Sequence, residues 1–88
     1  MRNFQVTWSV EYYVEDVVYT TSDQFQAEDL DDLFEILDNG IQEGFLCPEN
    51  EVPYHDGDFN IEYVLIHDDQ GVELYRDEDF DESRVANA

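Results

Sequence analysis

Phe4, Val6, Trp8, Val10, Tyr12 and Val14 alternate with Gln5, Thr7, Ser9, Glu11, Tyr13 and Glu15. Side chains of an extended chain point to opposite faces at period two, so this run predicts one long strand with a single face to bury. The rest of the chain must supply the cover for that face.

The following residues supply it in a fixed order. Glu15-Asp16 reads as a turn, although it lacks the Asn-Gly or Asp-Gly pair preferred in tight hairpins. Val17 to about Phe25 reads as the returning strand, with Tyr19 and Phe25 on its inner face. From about Glu28 to Asn39 the apolar spacing changes to Leu30, Leu33, Phe34 and Leu37, a helical stripe with Ile41 just beyond and Asn39-Gly40 as the expected stop. Residues 41–57 contain Gly44, Pro48, Pro53 and Gly57 and are expected to form an irregular loop. Phe59, Ile61, Tyr63 and Leu65 predict a third strand, with Val64 and Ile66 making its second face apolar as well. Asp68-Asp69-Gln70-Gly71 is a turn into a short fourth strand, Val72 to Tyr75. The expected architecture is α+β: a four-stranded antiparallel sheet with one helix packed on one face, in the order β-β-α-β-β. Residues 1–76 form the single expected domain, and residues 77–88 an acidic, flexible tail.

Charge is the second constraint. The chain carries 24 Asp and Glu against three basic residues, a formal net charge of −21, and has no lysine. Its arginines are Arg2, Arg76 and Arg84, so nothing between Asn3 and Tyr75 can pair with a carboxylate as Lys or Arg would. Ordinary surfaces intersperse both signs, which limits self-repulsion. Disorder is not the explanation, because 42% of residues are apolar and there are six Tyr, six Phe and one Trp. B-DNA carries about one phosphate per 1.7 Å of axis, so a charge of −21 corresponds to roughly one helical turn of duplex.

On the expected helix, Glu28, Asp31, Asp32, Glu35 and Asp38 share an arc of about 120° opposite the leucine stripe. Like charges three and four residues apart each cost about 0.2–0.5 kcal/mol. A merely solvated face would include lysines, so these five are candidate partner-binding residues. Glu15 and Asp16 at one hairpin tip, and Asp68 and Asp69 at the other, complete the candidate set. Tyr13, Tyr54 and Tyr75 are expected to be exposed and to contribute contact area to a partner or to a homodimer.

Other chemistries find little support. Asp56-x-Asp58-x-Asn60 opens like an EF-hand loop, but Ile61 stands where glycine is required and His67 where the closing glutamate belongs. His55 and His67 have no Cys or His at ligand spacing, so no metal site is expected. No phosphate loop or nucleophile motif is present, and among 24 carboxylates a plausible acid–base pair carries no information, so neither catalysis nor a cofactor is expected. So negative a chain should be repelled by nucleic acid and by anionic membranes. No apolar run reaches the length of a membrane span, and Met1-Arg2-Asn3 leads into a strand rather than a signal-peptide core. The single Cys47, expected to be a partly buried thiol, can form no internal disulfide, which fits a cytoplasmic protein.

The lysine-free stretch from Asn3 to Tyr75, the acidic arc Glu28–Asp38 and the aromatic content together resemble the phage-encoded DNA mimics of anti-CRISPR and anti-restriction type. The resemblance is one of composition and covers no aligned motif. It implies a cytoplasmic, non-catalytic inhibitor that occupies the nucleic-acid site of a basic protein: a CRISPR effector, a restriction enzyme, a repair glycosylase or a nucleoid protein. Two other readings fit the same composition. One is an immunity protein or antitoxin against a basic nuclease; the other is an ordinary acidic domain from a halophile.

Overall fold

The computed structural model describes residues 1–86. Two long strands, β1 (Arg2–Tyr12) and β2 (Val17–Ala27), precede the helix α1 (Leu30–Glu43); β3 (Phe59–Asp68) and β4 (Glu73–Arg76) follow it. The strands form one antiparallel sheet in the order β2-β1-β3-β4. The fold is therefore α+β, with α1 over one face of an open sheet.

The alternation in β1 has the expected consequence. Phe4, Val6, Trp8, Val10 and Tyr12 are all buried, and Trp8 meets Phe25 and Tyr63 edge-on at 6.5 and 6.0 Å. Leu33 and Leu37 come down from α1 into the same core, flanked by Leu30, Phe34 and Ile41. At the Tyr12 end of this face the post-helix loop takes over from the helix. There Tyr12 packs against Tyr19, His55 and Phe59, and the Tyr19 hydroxyl shares a 2.7 Å hydrogen bond with His55 Nε2.

Strand β3 departs from simple alternation. Thr7 pairs with Leu65 but Trp8 pairs with Tyr63, leaving Val64 as the extra residue of a β-bulge. An inserted residue reverses the facing of all that follows. Ile66, expected on the second face, therefore joins the helix-side core, while Val64 and Leu65 fall together on the back of the sheet.

Both helix ends also differ from expectation. Asp29 is the N-cap: its carboxylate accepts from the Asp32 amide at 2.8 Å, and the Asp32 carboxylate accepts in return from the Glu28 amide at 3.0 Å. This reciprocal pair satisfies two N-terminal amides and starts the helix at Leu30, so Glu28 lies before it. Asn39-Gly40 does not stop the helix. Gly40 is an interior position where an added Cβ would come within 2.5 Å of Leu46 Cδ1, so its glycine admits the returning loop. Gly44, at φ 79°, makes the left-handed exit instead, and the Phe45 and Leu46 amides return to the Gly40 carbonyl. The loop beyond contains a 3-10 turn at Pro48–Glu51, and Cys47 just before it is exposed rather than partly buried.

The segment after Arg76, expected as a flexible tail, crosses the back of the sheet. The Asp77 amide donates to the Val64 carbonyl, a 3-10 turn runs over Glu82–Arg84, and Val85 forms a parallel bridge with Val18 on the outer edge of β2. Phe80 lies on the way, beside Val18 and Val64. These two valines, 7% and 1% exposed, are the back-face residues that need cover, and this strap supplies it. Positions 87 and 88 of the expected tail lie outside the described residues.

Candidate functional site

The topology separates the two hairpin tips. Tyr12 pairs with both Val17 and Phe59, whereas Phe4 pairs with Asp68. Glu15-Asp16 and Asp68-Asp69 consequently sit at opposite ends of the sheet, about eight residues or ~27 Å apart along β1. Helix α1 begins at the Asp68 end, because it follows directly from Ala27, the partner of Arg2.

The nine candidate carboxylates sort into those with structural work and those without. Asp32 belongs to the helix cap and is half-buried. Asp68 Oδ1 accepts from the Gln70 and Val72 amides at 2.9 Å and so locks its own turn. Asp16, in the left-handed region at φ 53°, receives the Arg84 guanidinium at 3.2 Å. Asp38, though exposed, lines a cleft together with Tyr63 and Tyr75 and so stands at the sheet-side edge of the arc. Glu28, Asp31, Glu35, Glu15 and Asp69 are exposed, and among the described residues none enters an ion pair or a side-chain hydrogen bond. The outward helix face is thus Asp31 and Glu35, prolonged by Glu28 and interrupted by the partly exposed Ile36.

All three arginines are engaged elsewhere. Arg2 lies over the Phe4 ring at 5.1 Å. Arg76 pairs with Glu73 and Glu82, and Arg84 with Glu11 and Asp16, at 2.9–3.2 Å. The helix face and the Glu15 and Asp69 tips are left with no counter-charge from the chain. Of the expected exposed tyrosines, Tyr13 and Tyr54 are open at 55% and 79%, whereas Tyr75 is half-buried.

Tyr75 belongs to a feature that the sequence did not reveal. Phe34, Tyr63 and Tyr75 pack with ring centroids 5.5–5.9 Å apart, and beside them a cavity of about 310 Å³ lies under the C-terminal half of α1. Trp8, Ile61, Tyr63 and Tyr75 line it from the sheet, Asp38, Ile41 and Gln42 from the helix, and Glu62 and Asp77 complete the wall. Burial, followed by the charge of Asp38, holds the Tyr63 hydroxyl above its ordinary pKa. Burial and then the charges of Asp77, Glu62 and Glu78 do the same to Tyr75. Only strand pairing brings these acids together; their separation in sequence carries no such signal.

Among the described residues, no helix is long and apolar enough to cross a membrane, and no group of three or more His, Cys, Asp or Glu is arranged to hold a metal ion. Compared with known proteins, the chain matches no family model, no curated protein and no solved structure. The fold and surface define it as a small α+β protein with an unneutralised acidic exterior.

Proposed function

We propose that this chain is a DNA-mimicking inhibitor that occupies the nucleic-acid-binding site of a basic host-defence protein, in the manner of anti-CRISPR and anti-restriction proteins. The observation that carries this reading is the outward helix face. Among the described residues the side chains of Glu28, Asp31 and Glu35 have no structural partner, and every arginine is committed elsewhere. The Asp31/Glu35 pair at i,i+4 costs about 0.2–0.5 kcal/mol of stability, which an unused surface would relieve with a single lysine. The molecule's longest extent, 39 Å, is close to one turn of duplex, about 34–36 Å. Acids at the two hairpin tips extend the negative surface to opposite ends of the sheet.

The decisive experiment uses Glu28→Gln, Asp31→Asn and Glu35→Gln together, which removes three charges with little change of shape and spares the capping residue Asp32. A partner captured by the wild-type chain should be displaced by duplex DNA. It should bind the triple variant at least tenfold more weakly, about 1.4 kcal/mol, while the variant melts no lower than wild type. A partner that holds DNA and this chain together at unchanged affinity would rule out mimicry.

A further inference from the structure

The cavity under α1 combines three things that rarely coincide. Its walls include the Tyr63 and Tyr75 rings, which present π faces or edges to an occupant. Asp38, Glu62 and Asp77 come from three different segments, and among the described residues none of them has a cation. Finally, Trp8, 1% exposed, lies in the wall, and its buried indole Nε1–H has no acceptor among the described residues.

Access follows from the topology. The last β3–β4 pair is Leu65–Arg76, followed only by the Asp77 amide on the Val64 carbonyl, so among the described residues the outer edge of β3 before Val64 has no neighbouring strand. Glu62 pairs with Ser9 and faces the back of the sheet, yet it lines the cavity, so the opening wraps round that free edge.

We propose that this cavity is an anchor pocket for one arginine side chain of the partner protein, seated against Tyr63 and Tyr75 and paired by Asp38, Glu62 and Asp77. The proposal rests on reading the chain as a ligand for a basic protein, and it names where one contact is made. A cavity of about 310 Å³ is at the lower limit of ligand sites, suited to a single side chain rather than to a cofactor. A guanidinium stacks on aromatic rings, sheds water more readily than an ammonium, and spreads five N–H donors over several carboxylates.

The test is an NMR titration of the whole chain with the capped tripeptide Gly-Arg-Gly, read at the Trp8 indole N–H, with Gly-Lys-Gly and Gly-citrulline-Gly as controls. The arginine peptide should shift this resonance saturably, and the citrulline peptide should bind at least tenfold more weakly. Lysine should be at least threefold weaker. Asp38→Asn with Asp77→Asn should weaken the arginine peptide at least fivefold, whereas the triple helix-face variant should bind it within twofold of wild type. Equal affinity for arginine and citrulline or lysine, or shifts spread over the acidic surface with the indole unmoved, would overturn the pocket. Displacement of DNA forms no part of this readout, so the pocket and the mimicry reading can fail separately.

Discussion

Val85 stands in parallel register beside Val18 on the outer edge of β2, and the amide of the next residue, Ala86, donates to the Val18 carbonyl at 2.8 Å. The strap is thereby fastened at its far end, and Phe80 is held over the back-face valines. Phe80→Ala should cost about 1–3 kcal/mol, less than a fully buried phenylalanine because the ring is only half covered. Urea unfolding measures it; a loss under 0.5 kcal/mol would mean that the strap covers Val18 and Val64 without stabilising the sheet.

Gly40 offers a test in which local preference and packing oppose each other. Alanine in a helix interior is favoured over glycine by about 1 kcal/mol. Here the new methyl group would meet Leu46 Cγ and Cδ1 at 2.6 and 2.5 Å. Gly40→Ala should therefore lower the melting temperature despite the gain in propensity, and a higher one would show that Leu46 can swing away freely.

The Glu51 carboxyl is held above its ordinary pKa, first by a hydrogen bond with Asp23, then by partial burial and the Asp23 charge. That contact needs a proton. A raised folded pKa contributes stability fully below the unfolded value and loses it as pH rises through the folded one. Glu51→Gln supplies a permanent amide donor, so it should raise the melting temperature at pH 7.5 by a few degrees, corresponding to about 0.5 kcal/mol after solvent screening. At pH 4 it should change little. Glu73 and Asp81, lowered by the Arg76 guanidinium and by the Ser83 hydroxyl, run in the opposite direction, losing stability as pH falls. A gain of equal size at both pH values would show that the Asp23–Glu51 contact does not titrate.

With 24 carboxylates against three arginines, self-repulsion acts across the whole surface. Raising salt from about 10 mM to 150 mM shortens the screening length from about 30 Å to about 8 Å. The melting temperature should rise over that interval, as calorimetry would record. Association with a basic partner should slow over the same interval.

The strands, the helix and their order were legible because apolar residues recur at the period of each element, two in β1 and near 3.6 in Leu30–Leu37. What stayed hidden needed pairing or contact information. Alternation cannot register the extra residue Val64, so it predicts the wrong face for Ile66. Asn39-Gly40 has the composition of a helix stop, and only the approach of Leu46 explains a glycine inside the helix. Phe80 and Val85 are isolated apolar residues among acids, with no period to announce a strap. For the candidate site, the outward placement of Asp31 and Glu35 followed from helix geometry alone. The place of Asp38 beside Tyr63 in the cleft wall did not, because it depends on a residue brought close by the sheet.

Arg76 and Arg84 bracket the strap, and their guanidinium groups are the ones that tether it, to Glu73 and Glu82 at one end and to Glu11 and Asp16 at the other. In a chain without lysine these arginines are also, with Arg2, the only bonds at which trypsin can cut. The protease must draw into its own specificity pocket the very side chains that hold the strap in place. Trypsin is therefore a site-selective gauge of this protein: cutting after Arg84 reports how often the far end of the strap lets go, whereas cutting after Arg76, the last residue of β4, also needs that strand to open.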